Sequence, residues 1–204
     1  MVDKNEFKEL DLNNIDPKTW FKSTKGISAN YLKNITPIKP IVEMKKEDSR
    51  FIESYDVADD LSYEDNIAAM DWKEFENLIR ELFEKEFNMN GGEVKLTQAS
   101  RDGGVDVVAF DPDPIRGGKI IIQAKRYTNV VGVSAVRDLY GTVVNEGATK
   151  GILITTSNYG SDAYKFAENK PITLMNGANL LYLMEKYGYK AKIDIKEAKE
   201  LLKQ

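Results

Sequence analysis

Two short runs carry the residues best suited to chemistry: Asp102-Gly-Gly-Val-Asp106 and Gln123-Ala-Lys125-Arg126-Tyr127. Side chains alternate along a strand, so Gln123 and Lys125 share one face and Ala124 takes the other. On the preceding strand Asp106 shares a face with Val108 and Phe110. If the two strands pair as a hairpin, Asp106 begins one where Gln123 and Lys125 end the other, and same-face neighbours lie within roughly 5 to 8 Å. An acid, an amide oxygen and an ammonium group gathered this way suit an octahedral Mg²⁺ that keeps several waters and takes a phosphate oxygen. The chemistry would be phosphodiester hydrolysis, with the ion lowering the pKa of a water and neutralising charge at phosphorus. Asp106 would anchor the ion. Gln123 would be a neutral ligand or orient a water. Lys125 would hold or help deprotonate that water, or stabilise the scissile phosphate.

Glu76 is the fourth candidate. On a helix it shares a face with Trp72, Ile79 and Phe83, so its carboxylate points toward the core side and needs a partner there. A metal or Lys125 would serve, and so would an ordinary salt bridge to Arg80 one turn on. Plainer readings exist for the rest as well. Asp102-Gly103-Gly104 fits a tight turn whose Asp bonds its own backbone. Gln123 and Lys125 fit the polar end of a strand. Their place behind Ile120, Ile121 and Ile122 favours a site, because polar groups on a covered strand must be satisfied.

Composition narrows the chemistry further. The 204 residues include no Cys and no His, which removes structural zinc, thiol nucleophiles and Ser-His-Asp triads. The net charge is −4, whereas a simple nucleic-acid binder is more often basic, so any DNA contact must come from a local patch. Arg126 and Tyr127 adjoin the site. Thr155, Thr156, Ser157 and Asn158 end a strand where hydroxyls commonly reach phosphates. Arg101, Arg116, Arg137 and Lys165 are further candidates. No apolar run is long enough to span a bilayer and the first ten residues do not look like a signal peptide, so cytoplasmic residence is expected.

The elements that position these residues follow from periodicity. Residues 1–65 lack a sustained period and read as an N-terminal extension that packs on the main domain or a partner. Asp71 with Glu74 forms a capping-box variant ahead of Phe75, Leu78, Ile79, Leu82 and Phe83 at helical spacing, and Asn90-Gly91-Gly92 should end that helix. Strands are expected over 93–99, 105–110 and 119–125, the last two joined by a turn at Asp111-Pro-Asp-Pro114 and Gly117-Gly118. A helix over 133–145, a strand over 151–156, a helix over 161–168, a strand over 172–175 and a helix over 178–186 follow. The main domain thus spans 66–190, and a charged helix occupies the final stretch, 191–204. The fold class is α/β: antiparallel strands before a βαβ crossover, giving a mixed sheet covered on both faces.

Together, Asp102-Gly-Gly-Val-Asp106, Gln123-Ala-Lys125-Arg-Tyr127 and Phe75-Glu76-x-Leu78 resemble the Mrr-like (type IV) restriction endonuclease family of the PD-(D/E)xK nuclease superfamily. The resemblance extends over about 70–187, through Val136-Arg-Asp-Leu-Tyr-Gly141 and Gly151-Ile-Leu-Ile-Thr-Thr156. It implies Asp106, Gln123 and Lys125 as the catalytic set. Gln123 stands where most of the superfamily carries an acid, and that Gln is typical of the Mrr-like branch. The lost negative charge makes Glu76 a natural compensating ligand. The resemblance also implies a restriction-endonuclease-like α/β/α sandwich, Mg²⁺ with Mn²⁺ as a substitute, and double-stranded DNA, foreign or modified, as substrate. Repair or junction resolution on the same fold stays open, as does a catalytically silent DNA-binding or assembly module. Cutting both strands needs two sites or two visits, so a homodimer is expected. No separate recognition domain is evident in residues 1–65.

Overall fold

Five strands form one sheet in the order β1-β2-β3-β4-β5: Glu93–Leu96, Val107–Asp111, Gly118–Lys125, Lys150–Thr155 and Ile172–Met175. The computed structural model describes residues 50–88, 91–97 and 106–203. β1, β2 and β3 are antiparallel neighbours, while β4 and β5 join in parallel. The three isoleucines explain why β3 is central. Ile120 and Ile122 face one apolar layer, Ile121 faces the other, and all three are buried.

Helices α1 (Trp72–Asn88) and α4 (Gly177–Lys186) cover the first face, with Phe75, Leu78, Ile79 and Leu82 of α1 against Val107, Ala109, Ile122 and Ala124. Helices α2 (Val133–Asn145) and α3 (Ser161–Ala167) cover the second, where Val136, Leu139, Val143 and Ala163 meet Val108, Ile121 and Leu153. The mixed, two-sided sheet inferred from the sequence is therefore the observed architecture, an α/β/α sandwich. Asp71 caps α1 by accepting the Lys73 amide at 2.8 Å, and Gly91 turns the chain with φ of 74° after the helix.

Residues 50–65, grouped with the N-terminal extension by sequence pattern, are bound to the domain. Phe51 bridges Thr97, and the Ile52 amide donates to the Leu96 carbonyl at 3.2 Å, on the outer edge of β1. The buried Glu81 carboxylate accepts the Val57 and Ala58 amides at 2.9 and 3.0 Å and the Tyr189 hydroxyl at 2.6 Å. Arg80 beside it is paired with Asp56 and Glu84. The C-terminal helix α5 (Ile195–Leu201), capped by Asp194, is likewise tied in. Asn66 donates to the Asp194 carbonyl at 2.8 Å, and the Ile67 amide donates to the Lys192 carbonyl at 3.1 Å. Among the described residues no helix is long and apolar enough to cross a membrane.

Candidate active site

The β2–β3 register pairs Val107 with Ile122 and Val108 with Ile121, so continuing it by one step sets Asp106 opposite Gln123. Asp106 stands just outside the ladder, and its carboxylate Oδ2 accepts the Ala124 amide at 2.6 Å. Gln123 and Lys125 alternate onto the α2 side, opposite Leu153 and Thr155 of β4. Gln123 is 2% exposed and engaged by the protein, and Asp106 is 6% exposed.

Glu76 enters from the other side, on the second turn of α1. Arg80, its alternative partner, is taken by Asp56 and Glu84. The electrostatics instead join Glu76 to the end of β3. Its carboxyl is raised to about 7, chiefly by burial and next by the neighbouring Asp106 charge, with Lys125 opposing both. Asp106 is raised to about 6, chiefly by burial, against the pull of the Ala124 amide and of Lys125. One half-buried acid, one buried acid and one ammonium group therefore share a field at the end of β3.

That donor set fits a hard divalent cation. Two acids that each resist ionisation gain from a shared positive charge, and Gln123 adds an amide oxygen. Mg²⁺ is commonly held by one or two carboxylates with waters and substrate phosphate, without a full protein cage. Among the described residues no group of three or more Asp, Glu, His or Cys is gathered that could hold a metal ion. Asp102, Gly103 and Gly104 lie outside the described residues, as does Arg101. Sequence reasoning missed Asp71 and Lys73, which raise and lower Glu76 in turn. Lys73 was findable, since it sits three residues before Glu76 on the same helix.

Residues 67–184, more than half of the chain, match the restriction endonuclease family Mrr_cat. The chain belongs to that family. Over 84 residues it is 37% identical to the type IV methyl-directed restriction enzyme EcoKMrr of Escherichia coli (strain K12), a stretch covering 41% of this chain and 27% of that enzyme. Among solved structures, the DNA modification-dependent restriction endonuclease AspBHI is similar with a TM-score of 0.48 and 23% identity, over 63% of this chain and 34% of its own. The MspJI restriction endonuclease, in complex with a 27-mer oligonucleotide, is similar with a TM-score of 0.38 and 19% identity, over 64% of this chain and 35% of its own.

Within this Mrr_cat domain the residues expected to meet DNA divide. Tyr127 is exposed at 46%, on the loop leaving β3. Thr155 and Thr156 are fully covered and Ser157 nearly so. The Thr155 hydroxyl accepts the Ser157 amide at 3.2 Å, and the Thr156 hydroxyl donates to the Tyr127 carbonyl at 2.8 Å. The Thr155 and Thr156 hydroxyls are thus engaged within the protein, and all three residues are covered. Arg126 also turns inward. Its Nη1 donates to the Ala68 carbonyl at 3.1 Å, and its Nε is buried without a hydrogen-bond partner among the described residues.

Proposed function

We propose that this Mrr_cat member is a Mg²⁺-dependent DNA endonuclease that hydrolyses phosphodiester bonds in foreign or modified DNA. The observation that carries the reading is the shared field of Glu76, Asp106 and Lys125 at the end of β3, with Gln123 buried beside them. Bound there, Mg²⁺ or Mn²⁺ supplies Lewis-acid activation of a water and charge neutralisation at phosphorus. The Ala124 amide fixes one oxygen of Asp106, so the carboxylate reaches the cation in a set orientation. Glu76 brings the second negative charge from α1. Gln123 offers a neutral oxygen or orients the water. Lys125 would hold or help deprotonate the attacking water, or stabilise the scissile phosphate.

The test compares wild type and Lys125→Ala on plasmid DNA in Mg²⁺ and in EDTA. Wild type is expected to cut only with Mg²⁺ or Mn²⁺, and Lys125→Ala to lose on the order of a hundredfold or more, the scale of one charge-stabilising donor. Cutting in EDTA, or unimpaired cutting by Lys125→Ala, would overturn this chemistry. Wild type that leaves methylated, unmethylated and branched DNA intact would favour a silent DNA-binding module.

A further inference from the structure

The dipeptide Lys125-Arg126 sends one cation toward the candidate site and turns the next one back into the protein. Ala68, which receives the Arg126 guanidinium, is fully buried in a turn where the Ala69 amide donates to the Asn66 carbonyl at 2.8 Å. Two residues later Asp71 caps α1, and Glu76 lies on the next turn. The opposite side of the same turn is pinned by Lys192 and Asp194 through Ile67 and Asn66. The base of Arg126 is equally fixed. The Tyr127 amide donates to the Lys125 carbonyl at 2.8 Å, and Thr156 holds the Tyr127 carbonyl. A planar, permanently charged fork on a rigid base transmits position well, and a buried arginine N–H cannot turn out to a phosphate without losing its packing.

We infer that Arg126 is a positioning residue: through Ala68 it fixes the start of α1, and so sets the Glu76 carboxylate against Asp106 and Lys125. The inference rests on the nuclease reading and assigns Arg126 no contact with DNA. Lys keeps one donor for the Ala68 carbonyl, whereas Ala keeps none.

Five proteins test it: wild type, Arg126→Lys, Arg126→Ala, Glu76→Gln and the double variant Glu76→Gln/Arg126→Ala. Mn²⁺ binding without DNA, cleavage kinetics and amide hydrogen exchange are measured on each. Arg126→Ala is expected to speed exchange over residues 68–76, weaken Mn²⁺ about tenfold and lower kcat with KM for DNA within about twofold, the pattern of a lost transition-state contribution. Arg126→Lys recovers most of both losses. On the Glu76→Gln background, removing Arg126 adds little, because it acts through Glu76. Unchanged Mn²⁺ affinity and kcat in Arg126→Ala, with weaker DNA binding and a smaller salt dependence, would overturn the inference in favour of a phosphate contact. If Arg126→Ala does not fold, failure of Arg126→Lys to retain Mn²⁺ binding above Glu76→Gln overturns it equally. A wild type that neither binds Mn²⁺ nor cuts would instead overturn the nuclease reading itself.

Discussion

At the scale of single residues, the main feature is that Glu76 and Asp106 resist losing their protons in the folded protein. Glu76 rises from 4.5 to about 7, and Asp106 from 3.8 to about 6, burial leading in both. A raised folded pKa means that the folded state binds more protons than the unfolded one. The resulting stability is present below the unfolded values and is lost as pH climbs through the folded ones. In EDTA the thermal midpoint of wild type, measured against that of Glu76→Gln, should therefore fall as pH climbs from about 4 to 7. Scans of melting temperature against pH on both proteins check this, and a wild-type midpoint that climbed relative to Glu76→Gln over the window would contradict the assignment. Added Mg²⁺ should raise the midpoint more at pH 8 than at pH 5, since it favours the ionised pair. Residue types carried much of this site: an acid, an amide and a lysine were visible as candidates in their runs. The Ala124 amide under Asp106 was not, because backbone donors have no signature in sequence. The inward turn of Arg126 was hidden for a related reason, since its acceptor is a carbonyl 58 residues away.

At the scale of elements, helix α2 and strand β5 fall on the residues that periodicity gave them, because each has an unbroken apolar pattern that packing then reinforces. Residues 50–65 escaped that method. They are held by backbone amides on Glu81 and by one bridge to Thr97, and such contacts impose no period on the chain. The burial of Thr155 and Thr156 at the end of β4 was not legible in sequence either: a hydroxyl looks surface-seeking, yet it is small enough to be buried once it finds a partner. Close docking at this same corner makes a prediction. Gly177 opens α4, and a Cβ there would stand 2.5 Å from the Thr156 carbonyl oxygen, a backbone atom that cannot step aside cheaply. Gly177→Ala should cost about 1–3 kcal/mol, the usual range for overpacking, read as a lower urea midpoint with an unchanged slope.

At the scale of the whole molecule, the proposed activity would set the one candidate site found among the described residues against a duplex with two strands to cut. Two copies acting together are the expected working form, and light scattering with DNA and Ca²⁺ should show twice the mass of the chain on the complex; a single copy that persisted at every concentration would exclude it. The net charge of −4 leaves little general attraction to DNA, so the proposed binding would depend on a few local groups. The segment at Phe51 and Ile52 has a separate consequence. It lies along the outer rim of β1, donating to Leu96 and bridging Thr97, where the sheet would otherwise present open amides and carbonyls. Bare strand rims are templates on which other chains can add. A few residues outside the family-matched stretch 67–184 thus act as a selvage, a finished border that keeps one sheet from growing into its neighbour.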